Sequence, residues 1–204
     1  DVLEVFNATL DKLTKNGHTI VDIELPTSAH ALAAYYVIMP AEVSANLARL
    51  DGMRYGHATR GETLLDDYLL SRTEGFGEET RRRILLGTFV LSSGYVDAYY
   101  RKADASRAVL RHEYAVAFEK VDVIAFPTTP SPAFKFGEKS DPISMYLEDI
   151  FTVTANLTGM PAISVPMGTV VRDGKNLPVG IHFTAPHQAE NTLFVAGEVV
   201  ENAR

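Results

Sequence analysis

The sequence predicts an α/β fold, on two observations. Apolar residues recur at helical spacing in several long segments, and short β-branched or apolar runs that end at proline lie between them. A helix followed by a strand through a short loop is typical of α/β layers. With 204 residues, 46% of them hydrophobic and 22% charged, the chain can bury a core of its own. We therefore expect residues 1–204 to form a single α/β unit.

The first half of the chain gives three specific predictions. A helix over residues 1–16 should end at Gly17. Residues 18–25 alternate apolar and polar side chains and predict a strand. The helical pattern of residues 29–50 contains Pro40, which predicts a break into helices over 29–38 and 41–50. A glycine-rich loop at 51–61 and a helix at 62–72 follow.

The second half begins with the longest helical region, residues 78–120, which Gly87 and the Ser92-Ser93-Gly94 string are expected to interrupt. The remaining elements alternate between strands and helices, and a connection that contains Asp173-Gly174 indicates a hairpin. We predict strands at 121–127, 162–166 and 179–184, a loop at 128–142, and helices at 144–158 and 188–201.

The composition excludes several classes of function. The net charge is −7 and Arg81-Arg82-Arg83 is the one basic cluster, which argues against direct nucleic-acid binding. With no cysteine, the chain has neither a disulfide nor a thiolate nucleophile, in keeping with a reducing compartment such as the cytoplasm. No apolar run approaches the ~20 residues of a membrane-spanning helix, so we expect no membrane contact. The acidic N-terminus, which lacks Met, predicts that the chain is part of a longer protein.

Metal and nucleotide sites are not expected in this chain. No two of the six histidines stand at i, i+4 on one predicted helix, so each is interpreted as a surface or hydrogen-bonded residue rather than a ligand. The sequence has neither a GxGxxG motif nor a phosphate-binding loop.

A serine nucleophile also lacks support. The Gly-x-Ser-x-Gly motif is absent, and Ser92-Ser93-Gly94 lacks flanking glycines whose N–H groups could converge on an oxyanion. We interpret Ser92 and Ser93 as capping residues at a helix break, and predict no catalytic residue in the chain.

Two polar positions are candidates for substrate binding. Arg82 or Arg83 could hold a carboxylate through two parallel hydrogen bonds, although a solvated basic face is the simpler interpretation. Asp149 lies in a mostly apolar segment and could hold an ammonium group, or could equally be a capping or exposed residue.

Strings in five regions of the chain, in fixed order, resemble the amidase-signature family, and within it the A subunits of the amidotransferases that act on Glu-tRNA(Gln) or Asp-tRNA(Asn). The resemblance covers roughly residues 18–200. The strings are AEVSANLAR (41–49), DGMRYG (51–56), EGFG (74–77), RRILLGTF (82–89), SSGY (92–95), FPTTP (126–130) and PAISVP (161–166).

The resemblance implies the C-terminal portion of the amidase-signature fold, with a mixed β-sheet flanked by helices. The family's Ser-Ser-Lys catalytic set matches no position here, so the catalytic N-terminal half is expected outside this chain. The glutamine-holding Arg falls at Arg83, with Arg82 as its neighbour, and the ammonium-binding Asp at Asp149. The pocket Tyr falls at Tyr35 or Tyr36.

The implied function is the substrate-clamping portion of a glutaminase. Its ammonia passes to a partner B subunit, which uses ATP and Mg²⁺ to amidate the misacylated tRNA. The resemblance implies glutamine and the B and C subunits as partners, with tRNA bound only through the B subunit. Two alternatives stay open: a different amidase-signature hydrolase of small amides, and a separate non-catalytic module that binds a partner.

Overall fold

The computed structural model describes residues 1–203, which divide into two compact units. The first unit consists of residues 1–32 together with those from Ser106 onward, and the second is Ala33–Ala105. A division into compact units does not test the prediction that residues 1–204 form a single α/β domain, which stays a prediction. Across residues 1–203, no helix has the length and apolar character that crossing a bilayer requires.

Helix α1 (Val2–Lys15) opens the first unit and ends as its sequence predicts. Gly17 has a φ of +93°, a backbone conformation that glycine adopts without a steric penalty. The Gly17 N–H donates to the Thr14 carbonyl (3.0 Å) and the His18 N–H to the Leu13 carbonyl (3.1 Å). These two bonds make a Schellman motif, which satisfies carbonyl groups at the helix end.

The strand predicted for residues 18–25 is wrong. The segment runs without helix, turn or ladder, and in the described chain no neighbouring strand supplies backbone hydrogen bonds to it. Ile20 and Val21 are exposed. The alternating pattern is present, but a strand also needs a partner.

Among the described residues, the sheet has three strands: β1 (Ile124–Pro127), β2 (Ala162–Arg172) and β3 (Lys175–Thr184). Their order is β1-β3-β2 and both pairings are antiparallel, so the mixed sheet that the resemblance implies is not contained within residues 1–203. Asp173 and Gly174, with φ of 51° and 73°, form the turn between β2 and β3. Positive φ at both positions is typical of a type I′ hairpin turn.

One face of the sheet carries the main core of the first unit. Helix α8 (Glu190–Asn202) and helix α1 pack on this face, and their apolar side chains meet those of β2 and β3. Burial of these side chains is the main stabilising contribution to the unit. The buried core residues are Val2, Phe6, Leu13, Val165, Met167, Val170, Val179, Ile181, Phe183, Ala185, Leu193 and Val200.

The segment between β1 and β2 consists of short elements, and it contacts the opposite face of the sheet through Phe151. Where one helix was predicted at 144–158, the chain forms helix α6 (Pro142–Tyr146), a 3₁₀ turn at Leu147–Asp149 and helix α7 (Val153–Thr158). The Phe126 ring on β1 stacks on Phe151, with centroids 5.9 Å apart. Because α7 ends at Gly159 in the left-handed conformation, the chain turns there into β2.

The second unit is helical. Most of helix α2 (Ala31–Leu47) belongs to it, followed by α3 (Leu64–Gly75) and α4 (Glu78–Val90). A π-helical turn at Val96–Tyr100 leads into helix α5 (Arg101–Ala117), which continues into the first unit. Thr63 and Asp66 form a capping box at the start of α3, which fixes that helix end.

Two predicted helix breaks are wrong. Helix α2 continues through Pro40, which is fully buried, and α4 continues through Gly87. A Cβ on Gly87 would lie 1.9 Å from the Pro40 carbonyl oxygen, so Gly87 allows the two helices to approach closely. Pro40 has no backbone N–H, so α2 lacks one hydrogen-bond donor at this position. The break at Ser92-Ser93-Gly94 is confirmed, because a turn separates α4 from the π-helical turn there.

Candidate functional site

Arg83 lies on α4, one turn after Glu79. Its Nε–H donates to Glu79 Oε1 at 2.8 Å, and 28% of the Arg83 side chain is exposed. An acidic residue four positions before a basic one on a helix is the favourable order for such a pair. The bond fixes the direction in which the guanidinium points.

The guanidinium of Arg83 lies over α2. Its central carbon is 5.8 Å from the centroid of the Tyr36 ring, within the range of a cation–π contact. Its Nη1 is 3.4 Å from the Met39 sulfur. The Tyr35 ring meets that of Tyr36 edge to face, with centroids 5.2 Å apart. The second unit therefore brings three predicted positions together: Tyr35, Tyr36 and Arg83.

Arg83 remains charged in this environment. Partial burial opposes the charge, but the hydrogen bond to Glu79 and the Glu79 carboxylate favour it, and the net effect raises the Arg83 pKa. A guanidinium is protonated at any physiological pH, so it can meet a carboxylate as a planar fork.

Arg82, the alternative to Arg83, has different surroundings. It pairs with Glu78 (Nη2 to Oε1, 3.0 Å) and with Glu79, and 46% of its side chain is exposed. These i, i+4 and i, i+3 partners belong to its own helix, so Arg82 has the surroundings of a solvated helix face.

Asp149 belongs to the first unit, where it ends the 3₁₀ turn Leu147–Asp149 and is half-buried. Its carbonyl oxygen accepts hydrogen bonds from the Thr152 N–H (3.0 Å) and the Thr152 hydroxyl (3.2 Å). The backbone of Asp149 thus starts the turn that leads into α7. Its role toward an ammonium group stays a prediction.

Ser92 lies at the end of α4 and caps it. The Ser92 hydroxyl donates to the Phe89 carbonyl (2.7 Å), which also accepts the Ser92 N–H (3.1 Å). Both hydrogen bonds satisfy the Phe89 carbonyl group at the helix end. This geometry agrees with the capping role inferred for Ser92, and the same role for Ser93 stays a prediction.

A polar cluster that the sequence did not indicate lies on the sheet face away from α1 and α8. The Thr128 and Ser164 hydroxyls share a hydrogen bond of 2.6 Å across β3. They lie over Gly180, where a Cβ would be 2.7 Å from the Thr128 hydroxyl oxygen. His182, the next residue with its side chain on this face, is buried, and its Nδ1 has no hydrogen-bond partner within residues 1–203.

His182 departs from the expectation that each histidine is a surface or hydrogen-bonded residue. Burial lowers the His182 pKa, because the charged imidazolium loses its hydration. Among the described residues, no group of three or more His, Asp or Glu side chains converges in a way that could hold a metal ion.

Sequence reasoning missed the residues that position Arg83. From the sequence, Glu79 is only a favourable charge at a helix start, and Met39 carries no signal. The i, i+4 spacing of Glu79 and Arg83 was a usable indication of the ion pair. The contact with Met39 had none, because it joins two helices 44 residues apart in sequence.

All the residues described above lie within the part of the chain that matches a known protein family. The family model described as Amidase matches residues 1–194. The chain therefore belongs to the amidase family, and its α/β fold agrees with that of amidase-signature enzymes.

The relatives of this chain include A subunits of glutamyl-tRNA(Gln) amidotransferase. The one from Chlorobium limicola is 53% identical over 195 residues, which cover 95% of this chain and 40% of that protein. The one from Geobacillus stearothermophilus is 52% identical over 198 residues, covering 96% of this chain and 40% of that protein. This chain thus spans about two fifths of the length of these relatives.

Solved structures are similar over nearly the whole chain. The A subunit of glutamyl-tRNA(Gln) amidotransferase from Thermotoga maritima has a TM-score of 0.71 and 37% identity, over 98% of this chain and 38% of that one. A structure described as an amidase has a TM-score of 0.73 at 20% identity, over 98% of this chain and 41% of that one, and supports the fold alone.

Proposed function

We propose that this chain is the substrate-clamping part of an amidotransferase A subunit that releases ammonia from glutamine. The observation that carries the proposal is the Arg83 site, where Glu79 and Tyr36 hold the guanidinium in a segment that matches the relatives. A positioned guanidinium suits the α-carboxylate of an amino acid. Asp149 would take the α-ammonium group.

Binding both α-groups would select free glutamine. In a peptide amide these groups are uncharged, so an Arg and an Asp would leave their charges uncompensated. With both ends held, the side-chain amide would project toward the nucleophile. Tyr35 or Tyr36 would form the wall of the pocket.

The chemical step would use groups outside residues 1–204. A serine would attack the amide carbonyl and expel ammonia, and water would then hydrolyse the acyl-enzyme to glutamate. In the proposed complex, B and C subunits would accompany this protein in the cytoplasm. The B subunit would use ATP and Mg²⁺ for the ligase reaction and would carry the tRNA, since this chain has a net charge of −7.

The test is ammonia release from glutamine, by this chain alone and by this chain mixed with the part of the C. limicola relative that it does not span. We expect no release by the chain alone and release by the mixture. Activity of the chain alone would contradict the prediction that no catalytic residue lies in it.

Variants of the active mixture test the clamp. Arg83→Ala should raise the KM for glutamine at least tenfold, because the lost contacts are charge-assisted hydrogen bonds. Arg82→Ala is the matched control and should change KM less than twofold. Unchanged glutamine use with Arg83→Ala, together with hydrolysis of simple amides, would favour the alternative of a small-amide hydrolase. Complex formation without any hydrolysis would favour the non-catalytic module.

A further inference from the structure

Glu148, the residue before Asp149, is held by two side chains of the loop that precedes helix α6. Its Oε2 accepts a hydrogen bond from the Ser131 hydroxyl at 2.7 Å, and its Oε1 binds the Lys139 ammonium group. Only 15% of the Glu148 side chain and 18% of the Lys139 side chain are exposed. Both carboxylate oxygens of Glu148 therefore have partners in one loop, residues 128–141 of the first unit.

The Ser131 end of this network is attached to the sheet. The Thr128 N–H donates to the Gly180 carbonyl of β3 at 2.8 Å. The Thr129 hydroxyl donates to the Ser131 carbonyl at 2.7 Å, which restrains the bend after β1. Ser131 thus follows closely on a residue that is bonded to the sheet.

The Lys139 end has a second partner in the same loop. The Lys139 ammonium group lies 4.8 Å from the centroid of the Phe134 ring, within the range of a cation–π contact. Removing one member of a mostly buried ion pair leaves the other charge uncompensated, so such a pair holds its two segments together. The Lys135–Asp173 pair of the same loop is different, because 76% and 66% of its two side chains are exposed.

Asp149 lies between two attachments to the sheet. Leu147, Glu148 and Asp149 form one 3₁₀ turn, so their backbones are fixed relative to one another. Two residues after Asp149, the Phe151 ring stacks on the Phe126 ring of β1. The Asp149 backbone is therefore held on one side by Glu148, through the loop, and on the other by Phe151.

We propose that Glu148 and Lys139 are positioning residues for substrate binding, whose ion pair sets where the Asp149 carboxylate meets the α-ammonium group of glutamine. The inference rests on the proposed function, in which Asp149 takes that group. It assigns different tasks to two adjacent carboxylates: Glu148 binds the loop and Asp149 binds the ligand. A binding group that is fixed before the substrate arrives loses less conformational entropy on binding.

The test compares glutamine with the monoamide of glutaric acid, which is glutamine without its α-amino group. Ammonia release is measured in the active mixture of this chain with the rest of the C. limicola relative. The readout is the ratio of kcat/KM for glutamine to kcat/KM for the monoamide. Glu148→Gln should lower this ratio about fivefold or more, because a displaced Asp149 affects only the substrate that has an ammonium group. A general loss of structure would lower both values and leave the ratio unchanged, which would overturn the proposal.

The exposed ion pair of the same loop supplies matched controls. Lys139→Met should lower the ratio as Glu148→Gln does, whereas Lys135→Met and Asp173→Asn should leave it within about twofold. Asparagine is suitable at position 173 because it tolerates the φ of 51° there. Lys139→Arg should keep the ratio within about twofold, since a guanidinium can also pair with the carboxylate. Equal ratios for Lys139→Met and Lys135→Met would contradict a role of the buried pair.

Asp149→Asn separates failure of this inference from failure of the proposed function. If Asp149→Asn leaves the ratio unchanged, glutamine is not held through Asp149, and the clamp and the inference are both wrong. If Asp149→Asn lowers the ratio and Glu148→Gln does not, Asp149 binds the ammonium group without the ion pair, and only the inference is overturned.

Hydrogen exchange gives a second readout that needs no activity. The N–H groups of Ile150 and Thr152 donate to carbonyl groups of the 3₁₀ turn, at 3.3 and 3.0 Å, so both amides report on it. In Glu148→Gln they should exchange about threefold or more faster than in the unsubstituted chain, and in Asp173→Asn at an unchanged rate. Unchanged exchange in Glu148→Gln would show that the ion pair does not hold the turn, and would overturn the proposal.

Discussion

Gly87 on α4 and Pro40 on α2 approach so closely that a side chain on Gly87 has no room. A Cβ at Gly87 would lie 1.9 Å from the Pro40 carbonyl oxygen and 2.8 Å from the Ser44 Cβ. The nearest atoms are backbone, which cannot move aside as the end of a flexible side chain can. The same helix pair carries Arg83 and Tyr36 one turn away.

Gly87→Ala should destabilise the protein by about 1–3 kcal/mol, because an added methyl group forces the two helices apart. The measurement is urea unfolding followed by far-ultraviolet circular dichroism. Gly77→Ala is the control, since nothing lies within 4 Å of its Cβ, and it should cost less than about 1 kcal/mol. A Gly87→Ala protein as stable as the control would show that the helices separate freely.

Glu79→Gln should raise the KM for glutamine several-fold in the active mixture and leave kcat within twofold. The substitution weakens the bond that directs the Arg83 guanidinium without removing the guanidinium. Glu78→Gln is the control, because Glu78 pairs with Arg82 and not with Arg83. Equal KM values for the two variants would mean that Glu79 does not position Arg83.

Tyr114 should make the protein sensitive to alkali. Burial raises its pKa to about 12 from an ordinary value of 10, although the nearby Thr154 and Glu113 also act on it. Between pH 10 and 12 the unfolded chain loses this proton and the folded chain keeps it, so stability should fall as pH rises through this range. The loss is on the order of 2–3 kcal/mol.

Tyr114→Phe should remove that loss and cost little at pH 7. The Tyr114 hydroxyl is buried and has no hydrogen-bond partner within residues 1–203. Removing an unsatisfied buried hydroxyl is close to neutral. Urea unfolding at pH 7 and pH 11 measures both effects, and an unchanged pH dependence in the variant would refute the assignment.

His182 should make the protein sensitive to mild acid. Its folded pKa is lowered by burial, so below the unfolded value of about 6.5 the unfolded chain binds a proton that the folded chain excludes. Stability contributed by the neutral imidazole is therefore complete above pH 6.5 and declines as pH falls. Carboxylates with lowered pKa values, such as Asp51, Asp67, Glu74 and Asp173, lose their contributions only nearer pH 4.

His182→Gln should reduce the decline of unfolding free energy between pH 7 and pH 5, and His112→Gln, an exposed control on α5, should not. The measurement is urea unfolding at half-unit pH intervals. Equal slopes for the two variants would assign the acid sensitivity to other groups.

Elements with local signals were predicted well from the sequence. The Gly17 cap and the Asp173-Gly174 hairpin depend on residues next to them in the chain, and both have the predicted form. The helix predicted at 62–72 is present as α3, Leu64–Gly75. The strands β2 and β3 extend further than predicted, because their pairing continues up to the turn.

Errors arose where distant parts of the chain decide the outcome. Pro40 does not break α2, and Gly87 does not break α4, because each packs against the other helix. Residues 18–25 have the strand pattern, but among residues 1–203 they have no neighbouring strand to pair with. For the same reason the sequence left Tyr35 and Tyr36 equivalent, whereas the Arg83 guanidinium lies over the Tyr36 ring.

The β2–β3 hairpin has a consequence for how the first unit folds. Its strands meet across a turn of two residues, so they pair at almost no cost in loop-closure entropy. Pairing of β1 with β3 must first close a loop of roughly 50 residues between Pro127 and Ile181. The hairpin should therefore form early and act as the template on which β1 docks, which makes docking of β1 the slower step.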